Sequence, residues 1–590
     1  MSSFKSIPEL ILNTYYQYQD SCSFASVGES ISQKLSITTF FHECCRLSKQ
    51  LKSVGVKNGD CVALMGPGSS DWLCSDLAIQ LCGAITIPIF PQLSHEIFEY
   101  EIKHSEAKVI ICLDQQSLNT VENFDTLFEH IITKEISDIL KNSISFTESL
   151  VEKPTEDNLI DYAKSCIQEI KPDDTLTIIY TSGSTGYPKG VELTHRNILT
   201  QVAAAAQRFH LEAKHDVVLS CLPMAHIFEK MVMYFYLSRG LPIHFVEDIN
   251  QVAGAMQQVK PTIITLVPRL LEKVKAKMEE KIMTSSGIKH KLGTWALNMA
   301  KNNDFTINKP LLHPIADAII FKKFRAAFGG KIEKAISGGA ALNKDVNLFF
   351  NNIGVPVYQG YGLTETSPVI CANYPGNNKL GTVGKLFPDI EVKIDPENQE
   401  ICTRGPHLMR SYYKNSEATN DTIKDGWLHT GDCGSIDNEG YLSITGRIKE
   451  MFKTSNGKYV CPVPIEQKLS ECNIVDMSMV IADGRSFCSA LIFIDRLSLE
   501  NTHQIKLDQD IPKTLMDDFK IKVQKHIDQL NPNLNHWENI YRFQIIPDRI
   551  SIESGELTPT MKIKRHFIQK KYEALIDQLY ADPQHNAEKS

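Results

Sequence analysis

Paired cysteines are missing from this chain. Its 15 cysteines form no CxxC pair and no His/Cys cluster at zinc-finger spacing, which argues against a zinc ribbon or a disulfide framework. Cys44 and Cys45 are adjacent and the others stand singly, so reduced, mostly buried thiols in a cytoplasmic protein are expected. No apolar run reaches the ~20 residues of a membrane-spanning helix. The most hydrophobic stretch, Leu77 to Phe90, carries Gln80 and Gly83 and reads as a helix running into a buried strand. The opening residues, MSSFKSIPELILNTYYQYQD, lack the unbroken apolar core of a signal peptide. Basic excess is absent as well. The net charge is −8, so no nucleic-acid partner is expected. Repeats and low-complexity tracts are also lacking.

What is present is the composition of a globular protein, 42% apolar and 22% charged over 590 residues, long enough for two or more domains. Helical and strand patterns alternate over the first three-quarters, which predicts an α/β fold. TTFFHECCRLSKQLKSVG reads as a helix followed by the strand CVALMG, and HEIFEYEIKHSE as a helix followed by KVIICLD. DVVLSCLP, LPIHFVE and PTIITLVP are further apolar strands between helices, which implies sheets covered on both faces. From Val383 to Thr445 the chain is strand- and turn-rich. Beyond Gly446 come the strands MSMVIAD and SALIFID, then a long helix from Pro512 to Leu530. The expected division is a large domain at 1–446, including a small strand-rich subdomain, and a smaller α+β domain at 447–590. The last stretch, DPQHNAEKS, is expected to fray.

The segment richest in chemistry is YTSGSTGYPKG at Tyr180 to Gly190, entered from the apolar strand LTIIY. Glycines let the backbone curl and expose N–H groups, hydroxyls add donors for phosphate oxygens, and Lys189 adds positive charge. It is not a Walker A loop, which needs GxxxxGK followed by Ser or Thr, nor a GxGxxG dinucleotide loop. A kinase or GTPase of the usual kind is therefore disfavoured.

The loop resembles the phosphate loop of the adenylate-forming (AMP-binding) superfamily, which includes acyl-CoA synthetases, luciferases and peptide-synthetase adenylation domains. Further matches occur in family order: LPMAHIFE at Leu222, SGGAAL at Ser337, YQGYGLTET at Tyr358, ICTRGPHLMRSYYKN at Ile401, WLHTGD at Trp427, GRIKE at Gly446 and ELTPTMKIKR at Glu556. They span nearly the whole chain.

The resemblance implies a role for each. Thr181, Ser182, Gly183, Ser184, Thr185, Gly186 and Lys189 would grip the ATP phosphates, with Ser184 keeping a hydroxyl where threonine is commoner. Gly338, Gly339 and Ala340 would wall the adenine, Tyr361 beside Gly362 would stack on it, and Thr364 would contact phosphate. Glu365 would hold Mg²⁺, a hard cation suited to carboxylate oxygens. Asp432 would accept from the ribose hydroxyls with Arg447 near it, and His226 would line the entrance to the acyl pocket. Lys562 would enter from the C-terminal domain to steady the charge on the phosphates, with Lys564 and Arg565 as competitors. Lys449 would be the hinge about which a mobile small domain brings the SNGKYV loop to the site.

The similarity is greatest to long-chain fatty acyl-CoA synthetases, through LPMAHIFE, VPRLLEKV at Val267, FKKFRAAFGGKIEKAISGGAAL at Phe321 and FKTSNGKYVCPVPIE at Phe452. It implies a ligase that turns a fatty acid and ATP into acyl-AMP, then transfers the acyl group to coenzyme A. Acyl carrier protein is the alternative acceptor, since Cys461 stands where a smaller residue is usual near the acceptor face. A non-catalytic nucleotide- or lipid-binding relative is disfavoured by Glu365, Asp432, Arg447 and Lys562. Peripheral membrane contact fits a long-chain acid, although no basic amphipathic helix stands out.

Overall fold

The apolar runs become buried strands. Every residue of Cys61–Met65, Ile85–Ile89 and Val109–Cys112 is buried, as strands covered on both faces must be. A computed structural model describes residues 4–91, 93–122, 125–134, 143–146, 156–181, 187–305, 309–448, 451–455, 458–472, 474–494, 496, 499, 511–551, 554–557 and 563–581. The architecture is α/β, as the alternation predicts. Helices begin where hydroxyl side chains accept the orphan N–H groups: Ser36 before Ile37–Ser53, Ser69 before Ser70–Leu81, and Thr194 in a capping box with Asn197 before His195–Arg208. Leu77 to Phe90 is indeed a helix, Ser70–Leu81, leading into the strand Ile85–Ile89.

The residues group into two compact units, Met1–Lys393 with Cys402–Thr430 and Ile436–Ser443, and Ile394–Ile401 with Gly431–Ser435 and Ile444–Ser590. In the first, one eight-stranded sheet has the order Ser411–Tyr412, Lys189–Thr194, Thr175–Thr181, Ile85–Ile89, Cys61–Met65, Val109–Cys112, His130–Thr133 and Ser143–Ser145. From Thr175–Thr181 onward its neighbours run parallel, and the two strands before it are antiparallel additions. In a second sheet Ser23–Ser26, Pro242–Phe245, Val218–Ser220, Ile263–Leu266, Lys334–Ser337 and Val357–Gly362 are parallel neighbours. Val369–Ala372 then adds antiparallel. In such sheets ligands bind outside the carboxyl ends of the strands.

Two helices of this unit are buried almost all round, Ser70–Leu81 and Ile227–Ser238. They share a polar cluster. Lys230 Nζ donates to Asp76 Oδ1 at 2.6 Å with both side chains out of contact with water. Thr86 Oγ1 donates to the same oxygen at 2.7 Å, and Tyr234 donates its hydroxyl to Oδ2. Burial pulls the Lys230 ammonium below its usual range, opposed by Asp76.

The second unit holds Val475–Ile481 antiparallel to Cys488–Ile494, which is parallel to Ile540–Ile546. Phe519, Val523 and Ile527 of Lys513–Leu530 join one apolar cluster of this sheet, while Ile568, Tyr572 and Ile576 join the other. None of the 15 cysteines is in a disulfide, and only Cys461 is not buried. Among the described residues no helix is long and apolar enough to cross a membrane.

Candidate active site

The phosphate-loop motif joins two antiparallel strands. Thr175–Thr181 turns back as Lys189–Thr194, with Tyr180 opposite Gly190 and Thr181 opposite Lys189. The sequence reading gives only the strand that enters the loop and misses this return strand. Its signal is the buried pair Val191 and Leu193, too short a pattern to stand out. A Cβ on Gly190 would lie 2.8 Å from Ile178 Cγ2, so the hairpin requires glycine there. Ser182, Gly183, Ser184, Thr185 and Gly186 lie outside the described residues. The loop's distal root is anchored to helix His95–Ser105. There Tyr187 stacks on Tyr100 at 4.5 Å between centroids and donates its hydroxyl to Glu96 Oε1 at 2.8 Å.

Lys189 meets a residue to which the sequence reading assigns no role. Its Nζ sits 4.8 Å from the centre of the Tyr412 ring, a cation–π contact. The Tyr412 hydroxyl donates to Glu365 Oε1 at 2.7 Å, and burial followed by the Glu365 charge pushes the phenol's pKa up. Lys189, Tyr412 and Glu365 thus form one chain of contacts. Tyr412 is placed there by backbone pairing: Ser411–Tyr412 adds to Lys189–Thr194, and Tyr413 N–H donates to Gly190 O at 2.7 Å. Asn197 steadies the approach by donating to the carbonyls of Pro406 and Leu408 at 2.8 and 2.9 Å.

Glu365 is held at its backbone too, since its carbonyl accepts from Met409 N–H at 2.8 Å. Thr364 and Glu365 begin a single 3₁₀ turn after the strand Val357–Gly362. Gly362 permits the turn, because a Cβ there would lie 1.7 Å from Pro368 O. Tyr361, Thr364 and Glu365 are all half-buried, so each can be reached by a ligand. Ser337 pairs with Gln359, which sets Gly338 and Gly339 just past one parallel strand end and Tyr361 near the end of its neighbour. Gly339 has φ +80° with open space where a Cβ would go, and Gly339 and Ala340 are exposed. This small-residue ledge beside an aromatic ring suits a flat heterocycle. Gly338 is small for another reason: a Cβ there would touch the Phe228 ring at 3.0 Å.

Phe228 comes from LPMAHIFE, so two motifs 110 positions apart in the chain meet. His226 caps the helix Ile227–Ser238, its Nδ1 accepting from Phe228 N–H at 3.2 Å. That bond selects the tautomer protonated on Nε2. Glu229 is a fully buried clasp. Ser220 Oγ donates to its Oε1 at 2.6 Å and Thr265 Oγ1 to its Oε2 at 2.8 Å, tying the helix to two strands. Burial raises its pKa from 4.5 to about 7. The folded chain therefore holds this proton more tightly than the unfolded chain. The resulting stability is complete below about pH 4.5 and is lost as pH rises through about 7. Glu229→Gln is expected to flatten the fall in melting temperature between those limits. Parallel melting curves for variant and parent across that range would exclude Glu229 as its source.

In the second unit Arg447 Nε donates to Asp432 Oδ1 at 2.7 Å, and the Asp432 side chain is only 5% exposed. Arg565 is committed elsewhere: its Nη2 donates to Glu466 Oε2 at 2.5 Å and its guanidinium lies over Phe452. Leu557 and Ile563 form an isolated antiparallel bridge. Lys449 and Lys562 lie outside the described residues.

The chain matches the sequence profile of the AMP-binding enzymes over residues 17–413 and that of the AMP-binding enzyme C-terminal domain over residues 450–584. It is 30% identical to the long-chain-fatty-acid–CoA ligase FadD15 of Mycobacterium bovis, covering 90% of this chain and 89% of that one. It is 29% identical to the long-chain-fatty-acid–CoA ligase ACSBG2 of Xenopus laevis, covering 98% and 84%. Among solved structures, the anthranilate CoA ligase AuaEII in complex with anthranoyl-AMP shares the fold with a TM-score of 0.73, at 19% identity over 97% of this chain and 98% of that one. The o-succinylbenzoate CoA synthetase MenE of Bacillus subtilis, in complex with ATP and magnesium ion, does so with a TM-score of 0.66 at 20% identity over 94% and 98%. With its hairpin, its strand-end ledge and its glutamate all carried on the matched span, this chain belongs to the AMP-binding enzyme family.

Proposed function

We propose that this chain is a long-chain fatty acid–CoA ligase that couples an acid to coenzyme A through an acyl-AMP intermediate. The observation that carries it is the contact chain from Lys189 through Tyr412 to Glu365 at the root of the phosphate loop. The ligases named above, similar over most of the chain, support the substrate class.

A fatty acid is already ionised at neutral pH and needs no general base. Its carboxylate oxygen attacks the α-phosphorus of ATP; the new acyl–phosphate bond forms as the bond to pyrophosphate breaks. The difficulty is electrostatic, since anion approaches anion. Lys189 and the N–H and hydroxyl donors of the loop offset it, and Lys562 enters from the C-terminal domain to take up charge on the phosphates. Glu365 fits a hard cation: Oε1 is occupied by Tyr412, while Oε2 has no partner among the described residues. A magnesium ion held there supplies positive charge against the phosphate oxygens. Tyr361 with Gly338, Gly339 and Ala340 takes the adenine, and Asp432 with Arg447 takes the ribose. Arg565 is already paired with Glu466, which removes one of the two competitors of Lys562 for the incoming charge. In the second step the thiol of coenzyme A loses its proton to solvent, its sulfur bonds to the acyl carbon, and the acyl–phosphate bond breaks to release AMP. The large domain spans 1–446 and the C-terminal domain 447–590, with Lys449 the hinge that exchanges one step for the other. The enzyme works in the cytoplasm, with peripheral contact to a membrane that holds its acid.

The test is pyrophosphate release from ATP and Mg²⁺ across acid chain lengths, with coenzyme A and acyl carrier protein offered separately. Acid-dependent pyrophosphate and a coenzyme A thioester are expected with long chains; no pyrophosphate with any acid sinks the proposal. Lys562→Ala should slow acyl-AMP formation by about 10²–10³-fold while sparing thioester formation from supplied acyl-AMP. Equal loss of both steps would remove Lys562 from its role.

A further inference from the structure

The helical segment 313–326 is apolar on the side that faces water. Ala316, Phe321 and Phe324 are buried, and His313 packs edge-on against Phe305 at 5.0 Å, so the inner face is anchored in the core. The outer face carries Leu311 at 98% exposure, Leu312 and Ile315 at 50% and Ile319 at 37%. Leu311 and Leu312 end the turn just before the helix, and Leu312, Ile315 and Ile319, three and four residues apart, continue the stripe along it. Of the 15 exposed large hydrophobic side chains among the described residues, six fall between Met283 and Ile319. Exposed apolar residues scattered singly need no explanation, but a contiguous stripe marks a surface that meets something apolar.

Charge says what that is. Residues 268–326 hold twelve Lys and Arg against five Asp and Glu, a net of +7 within a chain of net −8. Lys309 stands at one end of the stripe, and Lys322 and Lys323 at the other; all three are exposed. Arg325 is neutralised by Asp317 at 2.5 Å, so these lysines supply the free charge of the helix. An apolar stripe capped by lysines fits an anionic bilayer surface: the aliphatic tips enter the acyl boundary and the lysine stems reach back to the headgroups. We infer that this face docks the enzyme on anionic phospholipid membranes. The inference rests on the proposed long-chain substrate, which partitions into the same bilayer, and gives the contact suggested above a named surface.

The full-length protein is to be co-sedimented with vesicles of phosphatidylcholine alone and of phosphatidylcholine mixed with phosphatidylserine, at low and high salt. Binding to the mixed vesicles that falls with salt is expected. Leu311→Asp with Ile315→Asp should weaken it at least about tenfold, and Lys322→Glu with Lys323→Glu should weaken it on anionic vesicles only. Absence of binding by the parent overturns the proposal, as does undiminished binding by the Leu311/Ile315 variant. So does a parent that is a dimer which the Leu311/Ile315 variant dissociates, because the stripe then belongs to a second copy. Pyrophosphate release with a short, freely soluble acid should be equal in parent and variants. If the parent releases none with any acid, the ligase reading fails while the vesicle result still decides the surface.

Discussion

Glu365→Gln is expected to slow pyrophosphate release about 100-fold and to raise the Mg²⁺ concentration needed for half-maximal rate. The substitution is nearly isosteric. Its carbonyl can still accept the Tyr412 hydroxyl that now lies 2.7 Å from Oε1, and the backbone bond from Met409 is untouched. What is lost is charge and the second carboxylate oxygen, the one with no partner among the described residues. Tyr412→Phe separates the two effects. It keeps the charge and removes only the bond that orients it, so a loss of about 10-fold is expected. Initial rates across a magnesium series read both. An unchanged magnesium response in Glu365→Gln would remove the residue from the metal site, whatever its effect on rate.

Asp76→Ala should lower the stability of the large unit by about 3–5 kcal/mol, the cost of breaking a buried pair and leaving its partner charged. Lys230 would then face Trp72, 5.4 Å from its ring, with no carboxylate. The Thr86 and Tyr234 hydroxyls would lose their acceptor as well. The variant escapes part of this by releasing the lysine proton. Since the unfolded chain binds that proton up to about pH 10.5 while the folded chain has a lowered pKa, the variant's stability should recover as pH rises. Replacing both partners, Asp76→Asn with Lys230→Met, should cost less than Asp76→Ala alone. Urea unfolding at several pH values measures this, and a loss under about 1 kcal/mol for Asp76→Ala would show the pair to be dispensable.

The local features were legible because their causes are local. A run such as CVALMG is a buried strand wherever it is put, and Ser69 or Thr194 caps a helix through atoms three residues away. The resemblance pointed to small residues at Gly338 to Ala340 and at Gly362, and a Cβ would collide at Gly338 and Gly362 but not at Gly339. Tyr412 was not legible. It sat within a motif and next to another tyrosine, and nothing in RSYYKN says which ring faces the site. Glu229 looked like one more acid on a helix, although Ser220 and Thr265 make it a clasp. Asp76 and Lys230 gave no sign at all, being 154 residues apart.

By itself, then, the sequence determined most of the buried strands, the glycine- and hydroxyl-rich composition of Tyr180 to Gly190 and the kinds of residue available for the chemistry. Only the tertiary structure decided which of them act together. Lys189 reaches Glu365 through Tyr412 because a strand 222 positions further on pairs with the hairpin's return strand. The same holds for the outward stripe at Leu311 to Ile319, which the fold leaves exposed while it turns Ala316 and Phe321 inward. Propensity and capping act over a few residues, whereas pairing and burial depend on which distant segments the two sheets bring side by side.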